Sequence, residues 1–221
     1  MTWSIIARDP ASGELGVCVA SRFLAVGGLA IYGDGRYGVA VVQSQINPFI
    51  GSRILATLAR QKWTAELMKG LGSLADRADR QFHVVAANGL SFAWTGSGCI
   101  SEQGHISCEN ISVAGNMLAS LSVIEITRAT YAQAARLPFQ ERLLVAIAAG
   151  QRVGGDRRGE QSAALKVWHP RGYSILDLRV DDHPSPLGEL YRMLELSDGA
   201  YSRFTRSFNR IPDHEYPAET G

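Results

Sequence analysis

The chain has 221 residues, of which 46% are hydrophobic, and a formal net charge of +1 at pH 7. This length and apolar content allow one domain with a full core. The balanced charge gives no basic surface for nucleic acid, and the apolar runs are too short and too often interrupted to span a membrane.

The cysteines and the N-terminal residues indicate a compartment. The chain has three cysteines, an odd number, and none of them belongs to a Cys-x-x-Cys pair; they are Cys18, Cys99 and Cys108. The simplest interpretation is a reduced cytoplasmic protein with no structural zinc, no other metal and no cofactor. Arg8 and Asp9 interrupt the N-terminal apolar residues, which is not typical of a signal peptide.

Thr2 is the first residue that indicates a chemistry. An initiator methionine is normally removed before a small residue, so we expect Thr2 to carry both a hydroxyl and a free α-amine. An α-amine titrates near pH ~7.7–8.0 and can serve as the base for an adjacent hydroxyl. Many proteins carry threonine at this position without catalytic meaning, so the neighbouring residues must support the hypothesis.

The first predicted structure is a hairpin of two strands, residues 3–8 and 15–23, joined by a turn at residues 9–13. The second strand has apolar or small residues on both faces, as in a sheet that is covered on each side. The last residue on one face of this strand is Ser21, and the last residue on the other face is Arg22. The hairpin should therefore bring Ser21 and Arg22 back beside Thr2.

The next elements are a glycine-rich loop or irregular strand at residues 24–35 and a buried strand at residues 38–43. The polar residues Gln43 to Asn47 follow that strand, where lining of a binding site and a turn before a helix are equally good explanations. Two apolar stripes then predict two helices, the second of them capped by Thr64. The stripe residues are Ile50, Ile54, Leu55 and Leu58 in the first, and Leu67, Met68, Leu71 and Leu74 in the second.

Residues 81–95 form the clearest predicted hairpin, with Asn88-Gly89 as its turn. It leads into a small flexible loop from Thr95 to Cys99 that can approach a ligand closely. A short strand at residues 111–114 precedes Asn116, which either caps the next helix or binds a ligand. Helical patterns follow at residues 118–135 and 139–149, with Gly150 as the predicted C-cap of the second.

The last third of the chain alternates charged loops with strands. A loop at residues 154–159 (GGDRRG) lacks the Lys-Ser/Thr ending of a Walker motif, and strands are predicted at residues 161–168 and 173–180. The cluster Asp181, Asp182 and His183 could bind a metal, although loop hydrogen bonding or capping of the next helix fits adjacent residues better.

The predicted architecture is helix–sheet–sheet–helix, because the strands are apolar on both faces and the helical pairs lie between strand groups. We expect one domain over residues 1–196. A polar tail follows at residues 197–221, either disordered or packed on a partner. Its aromatic residues Tyr201, Phe204 and Phe208 are the basis for the hypothesis of a homodimer.

Several motifs, occurring in order between Thr2 and about Leu196, resemble the family known as domain of unknown function 1028 (DUF1028). They are residues 2–9 (TWSIIARD), 13–17 (GELGV), 19–27 (VASRFLAVG), 95–97 (TGS), 115–118 (GNML), 154–159 (GGDRRG), 161–164 (QSAA) and 177–184 (DLRVDDHP). That family is regarded as similar to N-terminal nucleophile (Ntn) hydrolases. The resemblance implies an α+β fold, the four-layer αββα sandwich, and hydrolysis of an amide bond.

One position departs from the family pattern. Lysine is common in the family where this chain has Arg22, and lysine can exchange a proton whereas arginine effectively cannot. Arg22 would therefore act as a fixed charge, either by lowering the pKa of the amine or by holding a substrate carboxylate.

The leading hypothesis is an amidohydrolase that forms a covalent ester on Thr2 and takes a small amide substrate that can carry a carboxylate. The oxyanion would be held by backbone amides near Gly96 or Gly115, or by the side chain of Asn116. Arg157, oriented by Asp156, would make a second anion contact. The expected catalytic residues are Thr2, Arg22 and Asn116, and the expected substrate-binding residues are Ser21, Gln43, Asn47, Thr95, Gly96, Asp156 and Arg157.

Two alternatives remain open at the level of the sequence. The same fold could serve as a non-catalytic small-ligand-binding or assembly protein, because fold alone does not determine function. The chain could also be a metal-dependent hydrolase that uses Asp181, Asp182 and His183.

Overall fold

The computed structural model describes residues 2–60, 70–74 and 78–212. Its strands are β1 Thr2–Arg8, β2 Leu15–Ser21, β3 Ile31–Asp34, β4 Gly38–Ser44, β5 Arg80–Ala86, β6 Ser91–Thr95, β7 Gly104–Cys108, β8 Ile111–Asn116, β9 Ser162–Trp168 and β10 Ser174–Val180. Its helices are α1 Val26–Leu29, α2 Pro48–Arg60, α3 Ser122–Gln133, α4 Phe139–Arg152, α5 Pro186–Ser197 and α6 Ala200–Ser207, followed by a 3-10 turn at Phe208–Arg210.

The strands form two antiparallel sheets, which confirms the expected α+β class. The first sheet has six strands in the order β10-β9-β2-β1-β8-β7, and the second has four in the order β3-β4-β5-β6. Strand β1 lies in the interior of the larger sheet, where it pairs with β2 on one side and with β8 on the other. No helix among the described residues is both long and apolar enough to cross a membrane.

Alternation along β1 and β2 divides their side chains between two cores. Ile5 and Cys18 pack with residues of α3, α4 and α5, whereas Ile6 and Val17 pack against Val39 and its neighbours in the second sheet. A third cluster lies between the second sheet and α2. Both faces of the β1–β2 hairpin are therefore covered, as its apolar composition predicts.

Gly16 permits a close approach between β2 and α4. A Cβ atom added at Gly16 would lie 2.8 Å from Cε1 of Phe139 and would also collide with Leu143, so the helix could not pack at this distance from any larger residue. The glycine in this buried strand therefore has a packing role.

The elements differ from the predictions at three places, and the structure also decides one alternative that the sequence left open. The stretch at residues 24–35 contains α1 as well as β3, and strand β7 lies where no element was predicted. Strand β7 is an edge strand with mostly half-exposed residues, so it lacks the apolar alternation on which the prediction relied. Gly150 lies inside α4, which ends at Arg152, and Asn116 is the last residue of β8 rather than a helix cap.

Residues 198–212, the described part of the predicted tail, include a helix and an aromatic contact with the loop between β9 and β10. Helix α6 occupies the first part of this segment, and the ring of Phe208 packs edge-on against Tyr173 with centroids 5.8 Å apart. The predicted cap Thr64, together with Leu67 and Met68, lies outside the described residues.

Candidate active site

The space between the two sheets is apolar at one end and polar at the other. Because side chains alternate between the two faces of a strand, Ile6, Val19 and Val41 point into this space and form its apolar part. The polar part contains eight residues, none more than 5% exposed, which we call the polar layer. They are Thr2, Ser4, Ser21, Gln43, Gln81, His83, Ser112 and Asn116.

Thr2 lies at the start of β1, at the polar end of the layer. Its hydroxyl donates a hydrogen bond to Oγ of Ser21, with the two oxygens 3.2 Å apart. The hairpin register pairs Trp3 with Ala20, which places the end of β2 beside Thr2 as expected. On its other side Thr2 is paired with Asn116 of β8. The hydroxyl thus lies between two strands whose last residues are both polar and buried.

Gln81 is the centre of the hydrogen-bond network in the polar layer. Its Nε2 donates to Oγ1 of Thr95 at 2.8 Å, to the carbonyl oxygen of Gly115 at 2.9 Å and to that of Gly104 at 3.1 Å. Its Oε1 accepts from Nε2 of Gln43 at 2.7 Å and from Nδ2 of Asn116 at 2.8 Å. Two backbone carbonyls can only accept, so they determine which end of the Gln81 amide is the donor.

This orientation continues into the rest of the layer. Because Gln43 donates to Gln81, its Oε1 is free to accept from the hydroxyl of Ser4 at 2.8 Å. Ser4 can then accept from Nε2 of His83, also at 2.8 Å, and Nδ1 of His83 lies 3.0 Å from Oγ of Ser112. The consistent arrangement is a neutral His83 protonated on Nε2, with Ser112 as donor to Nδ1.

Burial, and to a smaller extent the nearby His105, lower the pKa of His83 to about 3. We therefore expect acid to destabilise the protein between about pH 6.5 and 5, because in this range the unfolded state binds a proton that folded His83 does not. Urea unfolding at several pH values measures this slope, whose limit is about 1.4 kcal/mol per pH unit for one proton.

The matched variants for this slope are His83→Gln and His183→Gln. We expect His83→Gln to make the slope shallower, and His183→Gln, which replaces an exposed histidine outside the polar layer, is the variant with which it is compared. His105 also has a pKa lowered by burial and contributes in the same direction, so the comparison rests on the difference between variants. An unchanged slope in His83→Gln would show that His83 is not the group responsible.

Asp156 holds the 154–159 loop against the end of β2. Its buried carboxylate accepts the backbone N–H of Arg22 at 2.9 Å and that of Arg158 at 2.8 Å. It also forms an ion pair with the guanidinium of Arg158 at 3.2 Å. The expectation that Asp156 orients Arg157 is corrected by these contacts, because the arginine that Asp156 binds is Arg158.

The other predicted site residues are not all brought to Thr2. The exposed guanidinium of Arg22 donates to the carbonyl of Arg158, and Oδ1 of Asn47 accepts the N–H of Phe49 at the start of α2. The N–H of Gly96 donates to the carbonyl of Arg80, so this amide is already engaged and is a poor candidate for an oxyanion donor. Thr95 reaches the network through Gln81.

The cluster of Asp181, Asp182 and His183 is used locally. Asp181 pairs with Arg179, Asp182 accepts from Gln161, and Nδ1 of His183 accepts the N–H of Ser185 just before α5. In the part of the chain that the structure describes, no group of three potential ligands is placed to hold a metal ion. These contacts therefore do not support the metal-dependent hydrolase that the sequence left open.

A cavity under α6 lies away from Thr2. It is lined by Val167, Leu176 and Tyr201 together with other residues of α4, β10, α5 and α6. Val167 and Leu176 belong to the core on the helix-covered face of the larger sheet, whereas Thr2 faces the second sheet. This cavity therefore does not serve the Thr2 hydroxyl.

Sequence reasoning missed Ser4, Gln81, His83 and Ser112. A signal for two of them was present: Gln81 and His83 alternate with the apolar residues Phe82 and Val84 in a strand that is otherwise apolar after its first residue, Arg80. Polar residues at alternate positions of a buried strand must find partners on a single face.

The comparisons with known proteins agree with this fold. The model of a family described as "Family of unknown function (DUF1028)" matches residues 2–190. The crystal structure of a Silicibacter pomeroyi protein, described with the same family model, is similar to this chain with a TM-score of 0.83 and 30% sequence identity. The match covers 93% of this chain and 94% of that one. No curated protein matches.

Proposed function

The chain belongs to DUF1028, a family of unknown function, and we propose that it is an Ntn amidohydrolase that cleaves a small amide through a covalent ester on Thr2. The observation that carries the proposal is the position of the Thr2 hydroxyl, which is bound to Ser21 at the end of an interior strand and at the edge of the polar layer. Two facing sheets with helices packed on their outer faces support the finer assignment of a four-layer αββα sandwich.

The proposed reaction conserves atoms and protons in two steps. The Thr2 oxygen attacks the amide carbonyl, its proton passes to the α-amine, and the carbon–nitrogen bond breaks as that proton moves to the leaving nitrogen. Water then hydrolyses the ester, which releases a carboxylic acid and restores the hydroxyl. The reaction needs a free α-amine on Thr2 and therefore removal of Met1.

Backbone strain at the Thr2 end of the sheets supports a site there. Ala25, Ser44 and Met117 all have positive φ, at 54°, 66° and 54°, although none is glycine. They follow or end β2, β4 and β8 at the end of the sheets where Thr2 begins β1. Such conformations are costly and cluster at functional sites.

The exposed arginines at this end favour an anionic substrate. Arg22 directly follows Ser21 and donates to the carbonyl of Arg158, Arg157 is the exposed residue before Arg158 on the 154–159 loop, and the buried carboxylate of Asp156 pairs with Arg158. A carboxylate on the substrate would find two or three guanidinium groups here. We propose a small, carboxylate-bearing amide as the substrate and the cytoplasm as the location.

The direct test of the premise is the intact mass of the purified protein. We expect a mass without Met1, because a peptide bond to Met1 would leave Thr2 without the amine that acts as base. A mass that retains Met1 would contradict the proposal and favour a non-catalytic binding or assembly protein on the same fold.

A further inference from the structure

Asn116 is almost completely buried, with 2% of its surface exposed, and the network determines how its amide is turned. Oε1 of Gln81 is an acceptor, so the atom of Asn116 that lies 2.8 Å from it must be the donor Nδ2. The same Nδ2 lies 3.5 Å from the carbonyl oxygen of Thr2. Both of its visible partners are acceptors, so the assignment of nitrogen and oxygen in this amide is consistent from two sides.

The acceptor atom of the side chain is consequently turned away from Gln81. The amide group is planar, with Oδ1 and Nδ2 on opposite branches, so a donor that points to Gln81 leaves the oxygen on the other side. Among the described residues, no hydrogen bond is formed by Oδ1 of Asn116, and this oxygen is not one of the fully buried side-chain atoms without a partner, so it is open to a donor from solvent or from a ligand. Asn116 is also the strand partner of Thr2, so its side chain leaves the same face of the sheet as the hydroxyl of the proposed nucleophile.

We propose that Oδ1 of Asn116 accepts the N–H of the substrate's scissile amide, and that Asn116 is therefore a specificity residue for substrates with an N–H at the leaving atom. This inference rests on the proposed function and replaces the expectation that the Asn116 side chain stabilises the oxyanion. An oxyanion needs a donor, whereas the donor Nδ2 of this side chain already faces Oε1 of Gln81 and the carbonyl oxygen of Thr2, and the atom without a partner among the described residues is the acceptor Oδ1. The substrate class becomes primary and secondary amides, as opposed to esters and tertiary amides.

The acceptor also suits the later part of the reaction. As the leaving nitrogen takes up a proton it becomes a stronger donor, so the hydrogen bond to Oδ1 strengthens while the carbon–nitrogen bond breaks. An ester oxygen at the same position would face Oδ1 as a second acceptor and would leave it unsatisfied.

The test compares two probes that differ only at the leaving atom: succinic acid mono-4-nitroanilide, which has an N–H, and succinic acid mono-4-nitrophenyl ester, which has an oxygen. Both carry a carboxylate and release a coloured product. In Asn116→Leu we expect kcat/KM for the anilide to fall at least about tenfold, with the ester changed by less than about twofold. The leucine leaves Oε1 of Gln81 with the donor Nε2 of Gln43.

Ser112→Ala is the matched control for disturbance of the polar layer. Ser112 lies on the same strand as Asn116 and binds the far end of the network at His83. We expect this variant to keep the wild-type ratio of anilide to ester rates. An equal fall for both probes in Asn116→Leu, or no fall for the anilide, would overturn the inference.

A second measurement uses the wild-type protein alone and does not depend on folding of a variant. The N-methyl anilide lacks the N–H. We expect the enzyme to cleave it at least about tenfold more slowly than the secondary anilide, after each enzymatic rate is divided by the rate at which hydroxide alone hydrolyses the same compound. Equal corrected rates would contradict the role of Asn116, as would cleavage of the ester without any cleavage of the anilide. Ester cleavage that persists in Thr2→Ala would instead refute the proposed function.

Discussion

Replacement of Thr2 by alanine is expected to lower hydrolysis of the succinyl 4-nitrophenyl ester at least about 10³-fold and to abolish acylation of the protein. The reason is that the substitution removes the only atom that forms the covalent bond. The side chain is small and makes a hydrogen bond with one described residue, Ser21, so the fold should remain intact. Release of nitrophenolate gives the rate, and intact mass gives the acyl adduct.

Two variants control this experiment. Thr2→Ser keeps a hydroxyl beside the α-amine and should retain measurable activity and the adduct. Thr57→Ala removes a threonine from the solvent-facing side of α2 and should behave like the wild type. Acylation that is unchanged in Thr2→Ala, or found on another residue, would exclude Thr2 as the nucleophile.

Replacement of Gln81 by leucine should cause the largest loss of stability, about 3 kcal/mol or more. Gln81 is completely buried, and leucine would leave the donor Nε2 of Gln43 and the carbonyl of Gly115 without this partner. In a domain of this size such a loss lowers the melting temperature by about 6–12 °C. Thermal unfolding followed by circular dichroism measures the shift.

The matched control is Gln133→Ala, which replaces a glutamine at the exposed end of α3. Exposed substitutions of this kind change stability by less than about 0.5 kcal/mol. If the two variants melted at the same temperature, the network around Gln81 would not contribute the stability that its contacts indicate.

The hairpin and the neighbours of Thr2 were predictable because their information is local. Residues 3–8 and 15–23 show strand composition with a turn of Asp, Pro, Ser and Gly between them, and a hairpin with a short turn has few possible registers. The pairing of Trp3 with Ala20, and hence the contact of Thr2 with Ser21, follows from that turn. The same holds for the hairpin of β5 and β6.

Gln43 and Asn116 were identified as candidate site residues, but their roles were not. Gln43 was selected as a polar residue at the end of a predicted strand, with a turn as the alternative explanation, and Asn116 as a polar residue shortly after one, with a helix cap as the alternative. The structure shows both donating to the same oxygen of Gln81, a residue that sequence reasoning passed over. The arginine bound by Asp156 was also misidentified, because the loop between glycines at positions 154 and 159 turns Arg158 rather than Arg157 towards it.

The sequence by itself determined the strand alternation, the first hairpin and the position of a threonine at its start. Only the tertiary structure decided which polar side chains meet, because the contacts of Ser4 with Gln43 and of Asn116 with Gln81 join residues 39 and 35 positions apart. Periodicity shows which side chains share one face of a strand, but not which face of a second sheet will cover them. That choice depends on how the helices and both sheets pack together, and this packing gives each amide in the polar layer its direction.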